Sequence, residues 1–124
     1  MKKFFKSLGY ACNGFIYTLK AERNFRIHLV SMLLVILLGF YLGISLVSWG
    51  FIIFAIGFVL SAELFNTVIE RSCNYVSDGK TDKSIEKIKD ISAAAVLIAA
   101  LTALVIGILF LFIPLLNKIT AFLK

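Results

Sequence analysis

Between Arg26 and Glu63 the chain carries no formally charged side chain for 36 consecutive positions. One crossing of a ~30 Å hydrocarbon core takes ~20 residues, so the run is too long for one span and about right for two. Lipid offers the backbone no hydrogen bonds, so such a run must bond internally as helix. Gly43, Ser45, Ser48 and Gly50 supply turn chemistry near its middle. The sequence therefore predicts a hairpin of two membrane helices, at about 27–46 and about 48–72, with Trp49 as an aromatic anchor at the interface. A further uncharged run from Ile91 to Asn117 predicts a third span at about 91–116, with Pro114 near its exit, where a missing N–H does little harm. With 60% hydrophobic residues and only 16% charged, soluble domains are excluded and an all-α membrane protein, a single domain over 1–124, is expected.

Ahead of the first span, Phe4, Phe5, Leu8, Ala11, Cys12, Phe15, Ile16 and Leu19 recur at threes and fours against Lys2, Lys3, Lys6 and Asn13. This is the pattern of a helix lying in the membrane interface, expected over 1–26. The opening lysines lead into this stretch rather than into a short apolar region with a cleavage site, so no secretory signal is expected. Residues 73–90 read as a polar loop with a turn at Ser77-Asp78-Gly79, followed by a surface segment carrying Ile85, Ile88 and Ile91.

The net charge of +6 invites comparison with nucleic-acid-binding proteins, but its placement belongs to a membrane. Six basic residues precede the first span and five, counting Arg71 at the very end of the second, lie toward the segment between the second and third, against Lys118 and Lys124 after the third. That asymmetry predicts a cytoplasmic N-terminus, a cytoplasmic 73–90 segment, a multi-pass protein of the cell membrane and no nucleic-acid partner. Cys12 and Cys73 then lie on the reducing side, without metal-ligand spacing, and read as small apolar residues. Gly39 with Gly43, and Ala95, Ala99, Ala103 and Gly107, form small-residue stripes that predict close helix packing.

Chemistry is concentrated on the second span. Glu63, Asn66, Thr67 and Glu70 stand at i, i+3, i+4 and i+7, hence on one stripe. A carboxylate inside a span costs at least ~2.5 kcal/mol, so charges kept there normally face a cavity and perform a task. Seven residues of helix rise about 10 Å, so Glu63 and Glu70 cannot share one small cation and should differ in role. Glu70, nearer the cytoplasm, suits a phosphate-bound Mg²⁺ and needs a second carboxylate, for which Glu22 is the obvious partner. Glu63, deeper and partly desolvated, suits a base that takes a proton from a lipid hydroxyl. Arg23, Arg26, Lys89 and Asp90 gather at the same ends of the spans, where cations serve either nucleotide phosphates or anionic headgroups. Gly79-Lys80-Thr81 has the ending of a phosphate loop but lacks its earlier glycine, Asn74 standing there, and its preceding strand. His28, the one histidine, reads as an interfacial polar contact rather than a metal ligand.

Three segments, Glu22 to His28, Ala62 to Glu70 and Lys89 to Leu97, together resemble the small prokaryotic diacylglycerol kinase and undecaprenol kinase family, over nearly the whole length. The resemblance implies a homotrimer of three-span subunits with an N-terminal surface helix, using Mg²⁺ and ATP to phosphorylate a lipid alcohol at the cytoplasmic interface. It implies Glu63 as the catalytic base, Glu22 and Glu70 as metal and nucleotide ligands, Lys89 and Asp90 as nucleotide contacts, and Asn66, Arg26 and Tyr10 in support. One position departs: Asn74 stands where the family usually has an aspartate. The Glu22 to His28 stretch is closer to the branch that prefers undecaprenol, with diacylglycerol the alternative acceptor. A different class of reading, a small proton-coupled transporter with Glu63 as proton carrier, also accounts for the glutamates.

Overall fold

The computed structural model describes residues 1–78, 80 and 82–123, and among them there is helix and turn but no strand. Helix α1 is Lys2–Ala21, α2 Arg23–Leu42, α3 Leu46–Val76 and α4 Lys83–Gly107. A π-helical turn, Ile108–Phe112, joins α4 to α5, Ile113–Phe122. Three stretches are long and apolar enough to cross a membrane: Arg23–Leu42, Leu46–Val76 and the α4-to-α5 rod Lys83–Phe122.

The surface helix is shorter than expected, because the break falls at Glu22 rather than after Arg26. Glu22 alone is non-helical, at φ −109° and ψ 121°. Arg26, on the first turn of α2, donates from Nη1 to the carbonyls of Leu19 (3.3 Å) and Lys20 (3.0 Å), satisfying oxygens that the end of α1 leaves free. Phe15 meets Phe25 edge to face at 5.1 Å, and Phe25 is fully buried between the two helices. The outer residues Phe4, Phe5, Leu8 and Ile16 of α1 remain exposed, as a face lying on lipid requires.

The hairpin turn is set by two residues. Gly43 ends α2 in the left-handed region, at φ 62° and ψ 43°, and Ser45 caps α3 by accepting from the Ser48 N–H at 3.1 Å. Gly39 is not half of a helix-packing stripe with Gly43, as the spacing suggests. It is the floor on which Trp49 lies: a Cβ there would stand 2.8 Å from Trp49 Cη2. The indole also tilts over Phe40 at 4.8 Å, so it packs inward across the hairpin as well as marking the interface.

Helix α3 has 31 residues, about 46 Å at 1.5 Å per residue, and overshoots a ~30 Å core. Beyond it, α4 starts early. Asp82 caps it, Oδ1 accepting from the N–H groups of Ser84 (2.6 Å) and Ile85 (3.4 Å), and these bonds hold its carboxyl below the usual range. No glycine or proline interrupts the chain from Lys83 to Ile106. The Ile85, Ile88 and Ile91 segment, expected to lie on the surface, is therefore the first turns of α4 and continuous with the span.

The α3 and α4 helices pair along most of their length and form the main interface. Of the alanine stripe on α4 only Ala99 is fully buried, and Ala95 is exposed. Pro114 is more consequential than its position near an exit suggests: without its N–H the helix opens by one residue, Ile113 donating to Ile108 instead of to the fourth residue back. At the same end of the bundle Lys118 donates to the Tyr41 carbonyl at 2.9 Å, its ammonium 4.2 Å from the centre of that ring, tying α5 to α2.

Candidate active site

From Ile52 to Thr67 the buried positions of α3 are Ile52, Ala55, Val59, Glu63 and Thr67, at intervals of three and four, and Cys73 is buried beyond them. One stripe thus faces the protein throughout and changes from apolar to polar at Glu63. Glu63 lies roughly 26 Å along the axis from Leu46 and Glu70 roughly 36 Å, so with Leu46 at one hydrocarbon boundary they bracket the other.

Two separate networks hold these two carboxylates. Glu63, 3% exposed, has its Oε1 3.0 Å from Nε2 of His28 on α2, the length of a hydrogen bond in which the ring N–H donates. Thr67, on the same stripe, donates to the Glu63 backbone carbonyl at 3.0 Å and leaves its carboxylate untouched. Glu70 is held from the opposite side. Its Oε1 accepts from Asn66 Nδ2 at 3.1 Å, and Asn66 Oδ1 accepts from Ser92 of α4 at 2.7 Å. Ser92 is buried, so the relay fixes the amide orientation from behind.

Glu22, at the joint of α1 and α2, accepts from Arg71 Nη2 at 3.0 Å, and the Arg71 guanidinium lies 5.3 Å from the centre of the Tyr17 ring. That ion pair is half exposed on the arginine side, so it is weak and exchangeable. Further out, Lys89 Nζ donates to Asn74 Oδ1 at 2.6 Å across the α3 and α4 ends, in a shallow polar recess shared with Ser77, Lys80, Asp82 and Glu86. The departure at position 74 thus has a structural role here: an amide oxygen rather than a carboxylate faces Lys89.

The remaining expected residues lie outside these networks. Arg26 is engaged with the α1 carbonyls, Tyr10 is exposed on α1 with Lys6 5.9 Å from its ring centre, and Asp90 is exposed on α4. Gly79 and Thr81 of the rejected phosphate-loop reading lie outside the described residues. Three participants were missed by sequence reasoning. Ser92 stands one turn from Lys89 on α4, a spacing that marks a shared face. His28 sits in the same short segment as Glu22. Arg71 has no such signal, since a cation beside Glu70 reads equally well as a headgroup anchor.

Beside His28, between α2, α3 and α4, opens an apolar cleft lined by Met32, Val35, Ile52, Val59 and Ala103, about 110 Å³ of it between α2 and α3. A buried carboxylate in contact with the histidine that lines an apolar cleft, with further carboxylates on the same side of the bundle toward the helix ends, suits a reaction between a lipid and a water-soluble partner. The description of prokaryotic diacylglycerol kinases matches residues 9–111 of the sequence. The chain belongs to the prokaryotic diacylglycerol kinase family. A relative named undecaprenol kinase, from Bacillus subtilis, is 35% identical over 114 residues, covering 92% of this chain and 91% of the relative. One named diacylglycerol kinase, from Synechocystis sp., is 33% identical over 112 residues, covering 90% of this chain and 63% of the relative. The chain is therefore a membrane lipid kinase, and the transporter reading of its glutamates gives way.

Proposed function

We propose that this kinase transfers the γ-phosphoryl group of ATP to the hydroxyl of undecaprenol, giving undecaprenyl phosphate, at the cytoplasmic face of the cell membrane. The observation that carries the reading is the buried Glu63 against His28, whose ring lines an apolar cleft, with Glu70 and Glu22 beyond it toward water. The choice of acceptor rests on the relative named undecaprenol kinase, matched over 91% of its length, against 63% for the relative named diacylglycerol kinase. Diacylglycerol is the second reading, favoured by the family's own description.

In this mechanism the acceptor chain lies in the membrane with its hydroxyl at Glu63, which takes the proton as the oxygen bonds to the γ-phosphorus. The bond to the departing diphosphate breaks in the same displacement, and ADP leaves with the electron pair. Glu22 and Glu70 would hold Mg²⁺. Their oxygens are the donors this ion prefers, and Glu22 would exchange Arg71 for it. Among the described residues no three His, Cys, Asp or Glu side chains gather into a metal site, so water and phosphate oxygens would have to complete the coordination of an ion held by these two carboxylates. Bound there, Mg²⁺ would neutralise charge that develops on the phosphates. Asn66, locked by Ser92, keeps Glu70 turned outward. Lys89 and Asp90 meet the nucleotide. The family resemblance supports a homotrimer as the working form.

The test is to supply γ-labelled ATP with undecaprenol or with diacylglycerol in detergent micelles, with and without Mg²⁺. Label is expected in undecaprenol first and only with Mg²⁺. Preferential labelling of diacylglycerol rejects the acceptor, and transfer undiminished by a chelator rejects the metal.

A further inference from the structure

The family reading uses Glu63, Glu70, Glu22, Asn66, Lys89 and Asp90, and leaves His28 without a task. Yet His28 is the side chain that touches the buried end of the site. Its Nε2 is 3.0 Å from Glu63 Oε1, and the contact bridges two helices whose residues are 35 positions apart. Its ring is 26% exposed while the Glu63 side chain is 4% exposed. The same ring lines the apolar cleft on both its α3 side and its α4 side. Asn66, the polar neighbour on Glu63's own stripe, is fully engaged with Glu70 and Ser92. Thr67 reaches only the Glu63 backbone.

We propose that His28 is the positioning residue for Glu63, holding one carboxylate oxygen from α2 so that the other is presented to the acceptor hydroxyl at the head of the cleft. The inference rests on Glu63 being the base. A carboxylate on a straight helix has three rotatable bonds between Cα and its oxygens, and it needs a second anchor to keep one of them aimed. A buried acceptor also needs its hydrogen-bond capacity met, and a ring N–H meets it without a second ion pair inside the membrane. Misaiming by about 1 Å is enough to lower turnover 10²-fold. Because the ring forms part of the cleft wall, the group that aims the base also lies beside the lipid.

The experiment compares His28→Leu, which removes the donor but keeps the cleft apolar, with His28→Gln, whose amide can donate to the same oxygen. Both are also made in a Glu63→Gln background, in purified protein with ATP and undecaprenol. His28→Leu is expected to lower kcat about 10- to 100-fold with the ATP KM within twofold of the parent. His28→Gln should recover most of that loss. In the Glu63→Gln background His28→Leu should subtract nothing further, since the two act as one unit. A leucine variant with parental kcat, equal losses in the leucine and glutamine variants, or a full additional loss in the Glu63→Gln background each overturns the proposal. Should the leucine variant lose its thermal midpoint, His28→Met takes its place against His28→Gln under the same criteria. Parental turnover in Glu63→Gln alone sinks the base assignment itself, whatever His28 does.

Discussion

Replacing Glu63 by glutamine separates chemistry from stability more cleanly than any other change in this chain. The amide has the shape of the carboxylate, and its oxygen can still accept from His28 at the observed 3.0 Å, so α2 and α3 stay joined. What disappears is the capacity to take a proton. Loss of a positioned general base lowers turnover by roughly 10² to 10⁴. That corresponds to about 2.7 to 5.4 kcal/mol of barrier. Folding moves the other way: a charge in a span costs at least ~2.5 kcal/mol, and Glu63 is 3% exposed, so the neutral variant relieves part of that cost. The expected result is a protein with an equal or higher thermal midpoint in detergent, undiminished ATP binding, and almost no label transferred to lipid in a timed assay with γ-labelled ATP. Turnover within threefold of the parent would refute the assignment. A midpoint several degrees lower would refute the claim that the carboxylate is held against its own desolvation.

Other changes probe separate parts of the molecule. Ser92→Ala frees Asn66 to rotate and loosens Glu70; with a hydrogen bond worth about 1 kcal/mol, the Mg²⁺ concentration for half-maximal activity should rise roughly fivefold while the lipid KM holds, as a metal titration would read. Gly39→Ala drives a Cβ to 2.8 Å from Trp49 and should destabilise the hairpin by about 1–3 kcal/mol in a denaturation experiment, with Trp49→Phe restoring much of it. The Asp82 carboxyl is held below its ordinary value by the backbone N–H groups it caps. Its contribution is therefore present above the unfolded value of about 3.9 and lost as pH falls through the lower folded value. The protection of the Ser84 and Ile85 amides, relative to their intrinsic exchange rates at each pH, should fall through that acid window in the parent, and in Asp82→Ala should be low already at neutral pH.

The spans were legible because charge is excluded from lipid and nothing else in the sequence interrupts 36 uncharged positions. The hairpin turn was legible for a related reason: glycine and serine there answer to local backbone geometry. The start of α4 was not. Residues 83–90 are charged enough to read as loop, and what makes them helix is the Asp82 cap and the packing of α4 on α3. The role of Gly39 was misread because a small residue looks the same whether a helix or an indole lies on it. At the site, the Glu63 stripe follows from helical periodicity alone, while His28 and Ser92 depend on how α2 and α4 are rotated against α3. A spacing rule along one helix carries no information about that rotation.

The split between the two networks on α3 has a genetic corollary. Glu63 takes its alignment from α2 and Glu70 takes its alignment from α4, although the two glutamates share one helix face. A strain dependent on this kinase and crippled by a misaligned Glu63 should recover through second changes clustered around residue 28. One crippled at Glu70 should recover through changes around residue 92. The two suppressor maps should barely overlap, so selection for growth would chart helix neighbours that a separation of only seven positions on α3 conceals.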